Sequence, residues 1–282
     1  MTAGALVEPT ALRAGAVSTV GDALLRTGRA VLTAALSLTA IIGIWIAFLH
    51  VFNVNSLVGK SPQQVWSYVF GAGDAAAHRS KLMHGLWQTL EDAGLGYAAG
   101  LAAGMLGALA FVLFRPIEQA LLPVAIVVRS IPLVAMTPLI IFIFGRGVTG
   151  TAVIAGLVVF FPSLVTICFG LRSASRQATE LSQVYGAGRW MIARKVMLPS
   201  SLPAVFASAR ISVPGAIVGA MVAEWLSTGR GLGYAMATDP NAFDYADLWA
   251  SVAVLTLVSA VLYFALAAVE ALALSRVGAA GE

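Results

Sequence analysis

Between Arg176 and Pro199 the chain gathers four cations (Arg176, Arg189, Arg194 and Lys195) around Gly186, Gly188, Tyr185 and Trp190. Val184, Ile192 and Met197 add apolar surface to the same stretch. Apolar side chains rimmed by charge suit burial in a partner's groove, or rest on a membrane surface with the cations facing anionic lipid. Two other charges lie inside apolar runs, Arg129 and Glu224. Charges at such positions face a bundle interior or a water-filled path, because exposure to lipid is costly. Arg129 then either pairs within the bundle or lines a path for an anionic solute. Glu224 is either a polar anchor or cap at the membrane interface or a gate contact to Arg129 or Arg230. Catalysis finds little support. The three histidines, His50, His78 and His84, form no helical metal pair, since His78 and His84 are six apart. No nucleophile sits beside a base, no metal-ligand set is expected, and Cys168 is the one cysteine. The chain reads as a non-enzyme.

The elements that position these residues follow from composition. Of 282 residues, 59% are hydrophobic and 11% charged. A soluble fold carries about 25% charged residues, so this chain is integral to a membrane. Six apolar segments approach the length of about 20 residues needed to span: roughly 31–52, 94–114, 117–144, 151–169, 203–226 and 248–274. The expected fold is all-α with six transmembrane helices. Arg129, Pro132 and Pro138 interrupt the third span, and the prolines free backbone carbonyls there. Arg129 falls about 13 residues into it, near the bilayer midplane by the rise per residue of a helix. Gly96, Gly100 and Gly104 recur at four-residue spacing on the second span, which suits close helix approach in lipid. Glu91 and Asp92 lie at its expected N-terminus, where the helix dipole favours carboxylates.

Orientation follows from the basic residues. With the N-terminus inside, eleven Lys and Arg fall on the inner side and five outside (Lys60, Arg79, Lys81, Arg146 and Arg230). Cations mark the cytoplasmic face, so both termini and the 176–199 stretch are cytoplasmic. The chain divides into an N-terminal tail over 1–30, a membrane domain over 31–276 with a cytoplasmic loop over 172–202, and a short tail over 277–282. The N-terminal tail is expected to be disordered or to form an amphipathic surface helix over 10–28. Within the loop, Glu180 to Tyr185 suits a helix end and Gly186-Ala187-Gly188 a sharp turn. Arg189 to Met197 suits a second short helix that Pro199 stops.

The spacing Glu180, Gly186, Leu198-Pro199 resembles the "EAA" loop of ABC-importer permeases; the two alanines that follow the glutamate in the family are Leu181 and Ser182 here. The resemblance covers about residues 85–275. "RSIPLVAMTPLIIFIFG" and "VAEWLSTGRGLGY" resemble the third and fifth helices of the sulfonate, taurine and nitrate branch. The resemblance implies a type I importer permease fold in a bacterial inner membrane. It implies a coupling element, formed by Glu180, Tyr185, Gly186, Ala187, Trp190, Leu198 and Pro199, seated on a separate ATPase subunit. Arg129, Pro132, Pro138 and Glu224 would line the translocation pathway. The implied partners are two cytoplasmic ATP-binding subunits, a second permease copy, an extracytoplasmic solute-binding protein and the bilayer, with no nucleic acid. No phosphate-binding loop occurs in this chain, so it needs no cofactor of its own, and ATP and Mg belong to the ATPase subunit. The implied solute is a small organic or inorganic anion; related branches move aromatic carboxylates or vitamin and pyrimidine precursors. A secondary transporter or channel without an ATPase is the rival class, and no inverted repeat supports it.

Overall fold

The computed structural model describes residues 32–33, 36–71 and 73–279, the last four by backbone alone. The expectations for residues 1–30 lie outside the described residues. The described chain is helical, with no strand among the described residues. It forms two compact units, residues 1–64 and 65–282.

In the first unit, the described residues Leu36–Val51 form an apolar helix, α1. It ends where Asn53 takes a positive φ of 46°, and Val54 N–H returns to the Leu49 carbonyl. Gly59 closes the loop against Leu49 and Val54, where a larger residue has no room.

The second unit contains α2 (Ala75–Leu113), α3 (Arg115–Ser130), α4 (Leu133–Phe144), α5 (Val148–Arg172), α6 (Arg176–Val184), α7 (Arg189–Thr228), α8 (Gly231–Thr238) and α9 (Tyr245–Ala279). Four of these, α2, α5, α7 and α9, are each long and apolar enough to cross a membrane among the described residues, and the α3–α4 pair raises the number to five. Among the described residues, the six expected spans correspond to four continuous helices, one broken pair and the described part of α1.

Two boundaries differ from the sequence reading. First, α2 begins at Ala75, well before the expected start near Gly94, so Glu91 and Asp92 lie mid-helix and not at an N-terminus. The apolar core of that span marks the lipid-embedded part, while helical hydrogen bonding continues through the polar run-in. Second, the third segment is not one straight span: α3 and α4 meet at 109°. Ile131 is extended (φ −79°, ψ 127°), as the clash with a following proline ring demands, and Pro132 starts α4 without an N–H to continue the ladder. Pro123 and Pro138, by contrast, sit inside their helices without breaking them. Arg129 is therefore in the last turn of α3 beside a bend, not midway along a span.

The bundle is organised around α5, which packs between α2 and α7. Lipid supplies no hydrophobic drive between helices, so close approach and dispersion must hold them together. Gly96, Gly100 and Gly104 are buried against α5. A Cβ on Gly100 would lie 2.7 Å from Val159 Cβ, and one on Gly104 2.7 Å from Ser163 Cβ. On the other side, a Cβ at Gly219 of α7 would stand 2.6 Å from the Ala155 backbone. Ser163 and Ser212 share a hydrogen bond of 3.2 Å across the same contact. Larger apolar residues fill the end nearer α6, where Ala108, Phe111, Leu164, Ile167 and Leu171 form a buried cluster.

Candidate functional site

The loop between α5 and α7 is built as a rigid elbow. Ser175 caps α6 by accepting the Ala178 N–H, and Arg176 pairs with Glu180 at 2.7 Å one turn on. Both partners are exposed, so this pair contributes at most a few tenths of a kcal/mol to about 1 kcal/mol. The end of α6 is fixed more firmly. Ala187 N–H bonds the Ser182 carbonyl at 3.0 Å and Gly186 N–H the Gln183 carbonyl at 2.9 Å, which is a Schellman motif. Its geometry requires a left-handed residue, and Gly186 sits at φ +80°. Gly188 is extended, and α7 starts at Arg189.

Here Pro199 corrects an expectation. It does not stop a short helix, because α7 runs unbroken from Arg189 to Thr228. The turn Ala193–Met197 is π-helical, and Leu198 N–H reaches back five residues to the Ala193 carbonyl. The wider turn absorbs the donor that Pro199 lacks and relieves its ring's clash with the preceding turn. The elbow is thus continuous with a span. Met197 and Leu198 pack on the cluster of Phe111, Leu164 and Leu171, and Ile192 is buried.

Outward, the elbow is apolar. Val184 is 84% exposed and Tyr185 83%, with Leu181, Trp190 and Met191 also exposed. A cavity of about 240 Å³ lies between α6 and α7, lined by Leu181, Tyr185, Ala187, Met191 and Lys195. Glu180 is half exposed and engaged with Arg176 alone among the described residues. Leu198 faces the core side and Pro199 is exposed. The loop residues singled out in the sequence therefore occupy one continuous element.

The opposite end of α7 holds Glu224, which is fully buried. Of the two readings open in the sequence, a polar anchor or cap and a gate contact, its contacts are those of a cap, and it meets neither Arg129 nor Arg230. Its Oε2 accepts the Gly233 N–H at 2.7 Å and the Thr89 hydroxyl at 3.0 Å. Thr89 Oγ1 in turn accepts the Leu232 N–H at 2.9 Å, and Gln88 Oε1 accepts the Gly231 N–H at 3.0 Å. Residues of α2 and α7 thus cap the first turn of α8, satisfying amides that a helix start leaves without partners. Glycine is needed at that start: Gly231 has φ +82°, and a Cβ on Gly233 would stand 2.6 Å from Met221 Cα. Arg230 pairs instead with the buried Asp92 of α2 at 3.2 Å.

A second cluster that sequence reasoning missed joins α2 to the first turn of α9 and the segment before it. Lys81 Nζ lies 2.8 Å from Asp247, 3.6 Å from Asp244 and 3.9 Å from Asp239. Tyr68 donates to Asp247 at 3.2 Å and stacks on His78 with ring centroids 3.9 Å apart. The three carboxylates have ligand atoms within 4.8 Å of one another, but the Lys81 ammonium already supplies the cation among them. Burial first, and then the Asp247 carboxylate, push the Asp239 carboxyl up to about 7. The pairing to Lys81 spans more than 150 residues of chain, so no local spacing signals it.

The α3–α4 bend encloses an open cavity of about 360 Å³ lined by Arg129, Pro132, Leu133, Met136, Leu157 and Phe161 among others. Arg129 has no carboxylate within ion-pair distance among the described residues. Pro138 lies farther along α4 and does not line this cavity. The four residues expected along a pathway therefore separate: Arg129 and Pro132 meet at the bend, while Pro138 and Glu224 do not join them there.

Residues 96–278 match the family model described as "Binding-protein-dependent transport system inner membrane component". A probable ABC transporter permease protein of Haemophilus influenzae is 31% identical over 224 residues, covering 79% of this chain and 89% of the relative. The riboflavin transport system permease protein RibX of Chloroflexus aurantiacus is 36% identical over 149 residues, 53% of this chain and 56% of its own. The taurine permease TauC of Escherichia coli is 25% identical over 83% of this chain and 86% of its own. Among solved structures, an amino acid ABC transporter aligns with TM-score 0.53 at 18% identity, over 71% of this chain and 96% of that one, a likeness of fold. Four continuous apolar helices, a broken pair, an exposed elbow and these matches converge, and the chain belongs to the binding-protein-dependent transport inner membrane component family, as an ABC transporter permease subunit.

Proposed function

We propose that the chain forms the translocation pathway of an ATP-driven importer in a bacterial inner membrane, with both termini cytoplasmic. The α6–α7 elbow seats on a separate ATP-binding subunit, and that subunit holds ATP and Mg and performs the hydrolysis. The observation that carries this reading is mechanical. An exposed apolar elbow, locked by a Schellman turn at Gly186, continues without a break into α7, whose far end is tied to α2 and α8 through Glu224. A push on the elbow is then a push on the bundle, as a two-state gating motion needs. The assembly is a pair of permease copies with two ATP-binding subunits, fed by an extracytoplasmic solute-binding protein. The solute is a small organic or inorganic anion. Relatives carry names that include riboflavin, formylaminopyrimidine, aliphatic sulfonates, taurine and nitrate.

The test is co-purification with a candidate ATP-binding subunit expressed together with this chain. Tyr185→Ala with Trp190→Asp removes two exposed apolar anchors and places a charge in the interface. Association is expected to fall about tenfold or more, since interface anchors commonly contribute at least about 2 kcal/mol, while membrane insertion stays normal. Undiminished association of the double variant overturns the docking role, and solute uptake in the absence of any ATP-binding subunit overturns the transporter class.

A further inference from the structure

The last long helix, α9, is fastened at one end and loose along the rest. Only 6% of its most apolar stretch is buried, against 28%, 39% and 44% in α2, α5 and α7. Its buried residues, Asp247, Ala250, Ser251 and Leu255, lie between 247 and 255. From 256 to 275 no residue of α9 is buried. Two cavities of about 460 Å³ each flank the seam between this part of α9 and α7. Pro214, Val218, Ser259 and Tyr263 help to line one, and Tyr97, Val213, Leu262 and Leu266 the other. Interiors are normally close-packed, so a helix with open space on both sides has room to shift.

A charged contact crosses that seam. Arg210 Nη1 of α7 lies 2.9 Å from Glu270 Oε2 of α9, and the guanidinium stands 5.4 Å from the centroid of the Tyr263 ring. Tyr263 and Glu270 are seven residues apart, so they share one face of α9. The ion pair is not aligned as a hydrogen bond, and Arg210 Nε is buried without a partner among the described residues. The tie is therefore coulombic: it resists separation but makes little demand on direction. Both side chains are mostly buried, at 29% and 17% exposure, within apolar spans where parting the charges is far costlier than in water. Pro214, one turn on, has no N–H to offer the Arg210 carbonyl, so the ladder of α7 is weakened where the tie is made.

We infer that Arg210 and Glu270 are positioning residues that yoke α9 to the elbow helix, so that the Glu270 end of α9 swings with α7 while its Asp247 end stays clasped to α2 through Lys81. The inference rests on the docking reading above and extends the motion from α7 to α9. The yoke supplies the link that packing along this seam does not.

The test reads distances between spin labels in nanodiscs, with labelled chain diluted by unlabelled copies. In a Cys168→Ser background, exposed Leu106 of α2 is paired with exposed Leu272 of α9 or exposed Ser200 of α7, each replaced by cysteine. In the chain alone, Arg210→Gln or Glu270→Gln is expected to widen the 106–272 distribution about twofold or more and to leave 106–200 unchanged. Arg210→Glu combined with Glu270→Arg should restore the wild-type width, since the pair and not either residue sets it. With a candidate ATP-binding subunit bound, trapping ATP with vanadate should shift both distances in the wild type. In Arg210→Gln the 106–200 shift should persist and the 106–272 shift fall by about half or more. Unchanged widths in both single variants overturn the yoke, as does a wild-type α9 that stays still while α7 moves. Widening of both pairs without rescue by the swapped charges also overturns it, because a contact that serves folding alone behaves that way. A 106–200 distance that nucleotide fails to move refutes the docking reading, while the widths in the chain alone still decide the tie between Arg210 and Glu270.

Discussion

Removing the Glu224 side chain isolates the capped start of α8. Glu224→Ala deletes the acceptor of the Gly233 N–H (2.7 Å) and of the Thr89 hydroxyl (3.0 Å) in a fully buried place. A buried donor left without its partner costs about 1–3 kcal/mol. Thr89 keeps an alternative acceptor, the Gly85 carbonyl at 3.1 Å, so its share lies at the low end. Together the two losses come to about 2–4 kcal/mol. The effect is local, because Gly231 and Leu232 keep Gln88 and Thr89 as acceptors. Amide exchange at Gly233 reads the local opening energy directly. With about 1.36 kcal/mol for each factor of ten, exchange there should accelerate roughly 30- to 900-fold. Thr89→Val, which removes the Leu232 acceptor and one bond to Glu224, should loosen the same turn, and the double variant should be less than additive because both act on one network. The measurement is hydrogen–deuterium exchange with fragment-level readout over 229–238 in detergent or nanodiscs. An acceleration under about threefold in Glu224→Ala, or strict additivity with Thr89→Val, would refute the view that Glu224 caps α8 and return it to the role of a gate.

Gly186 gives a graded series. Its φ of +80° strains any residue with a Cβ, but open space surrounds the position, so only backbone strain counts. Asn should be tolerated, Ala should cost about 1 kcal/mol and Val about 1–3 kcal/mol of the turn, with ATPase coupling falling in that order; full coupling in Gly186→Val would show that the turn positions nothing. The Asp239 carboxyl, raised to about 7 by burial and Asp247, keeps its proton in the folded state while the unfolded chain releases it near about pH 4. Stability is therefore expected to fall as pH rises from about 4 to about 7 and to level off above, and Asp239→Asn should flatten that part of a thermal-melt profile. In a Cys168→Ser background, a cysteine at exposed Asn241 should react with an impermeant maleimide in intact cells, and one at Ser182 only in opened cells. Labelling of both from outside would overturn the orientation.

The elbow was legible in the sequence because its determinants are local. A sharp turn at Gly186-Ala187-Gly188 and apolar side chains with no apolar neighbours to bury them both follow from a stretch of about 25 residues, whereas the Ser175 cap of α6 emerged only from the structure. The same locality explains the error at Pro199. Proline predicts a break from its missing N–H, yet a single π turn, invisible to composition, lets the helix continue. At Pro132 the local rule held, but the 109° angle did not follow from it, since the direction of α4 depends on its packing against α5.

By itself the sequence determined that the chain lives in a bilayer, where its apolar segments fall, that Gly96, Gly100 and Gly104 serve close helix contact, and that an exposed elbow interrupts the spans. These follow from hydrophobicity, helix period and backbone sterics, which act over a few turns. Only the tertiary structure decided which charges meet. Glu224 finds Thr89 across 135 residues, Arg230 finds Asp92 across 138 and Tyr68 finds Asp247 across 179, while Arg129 meets no carboxylate among the described residues. Such partners depend on the rotation and axial shift of each helix against its neighbours. Those are fixed by glycine-mediated contacts between α2, α5 and α7, and no spacing along a single helix encodes them.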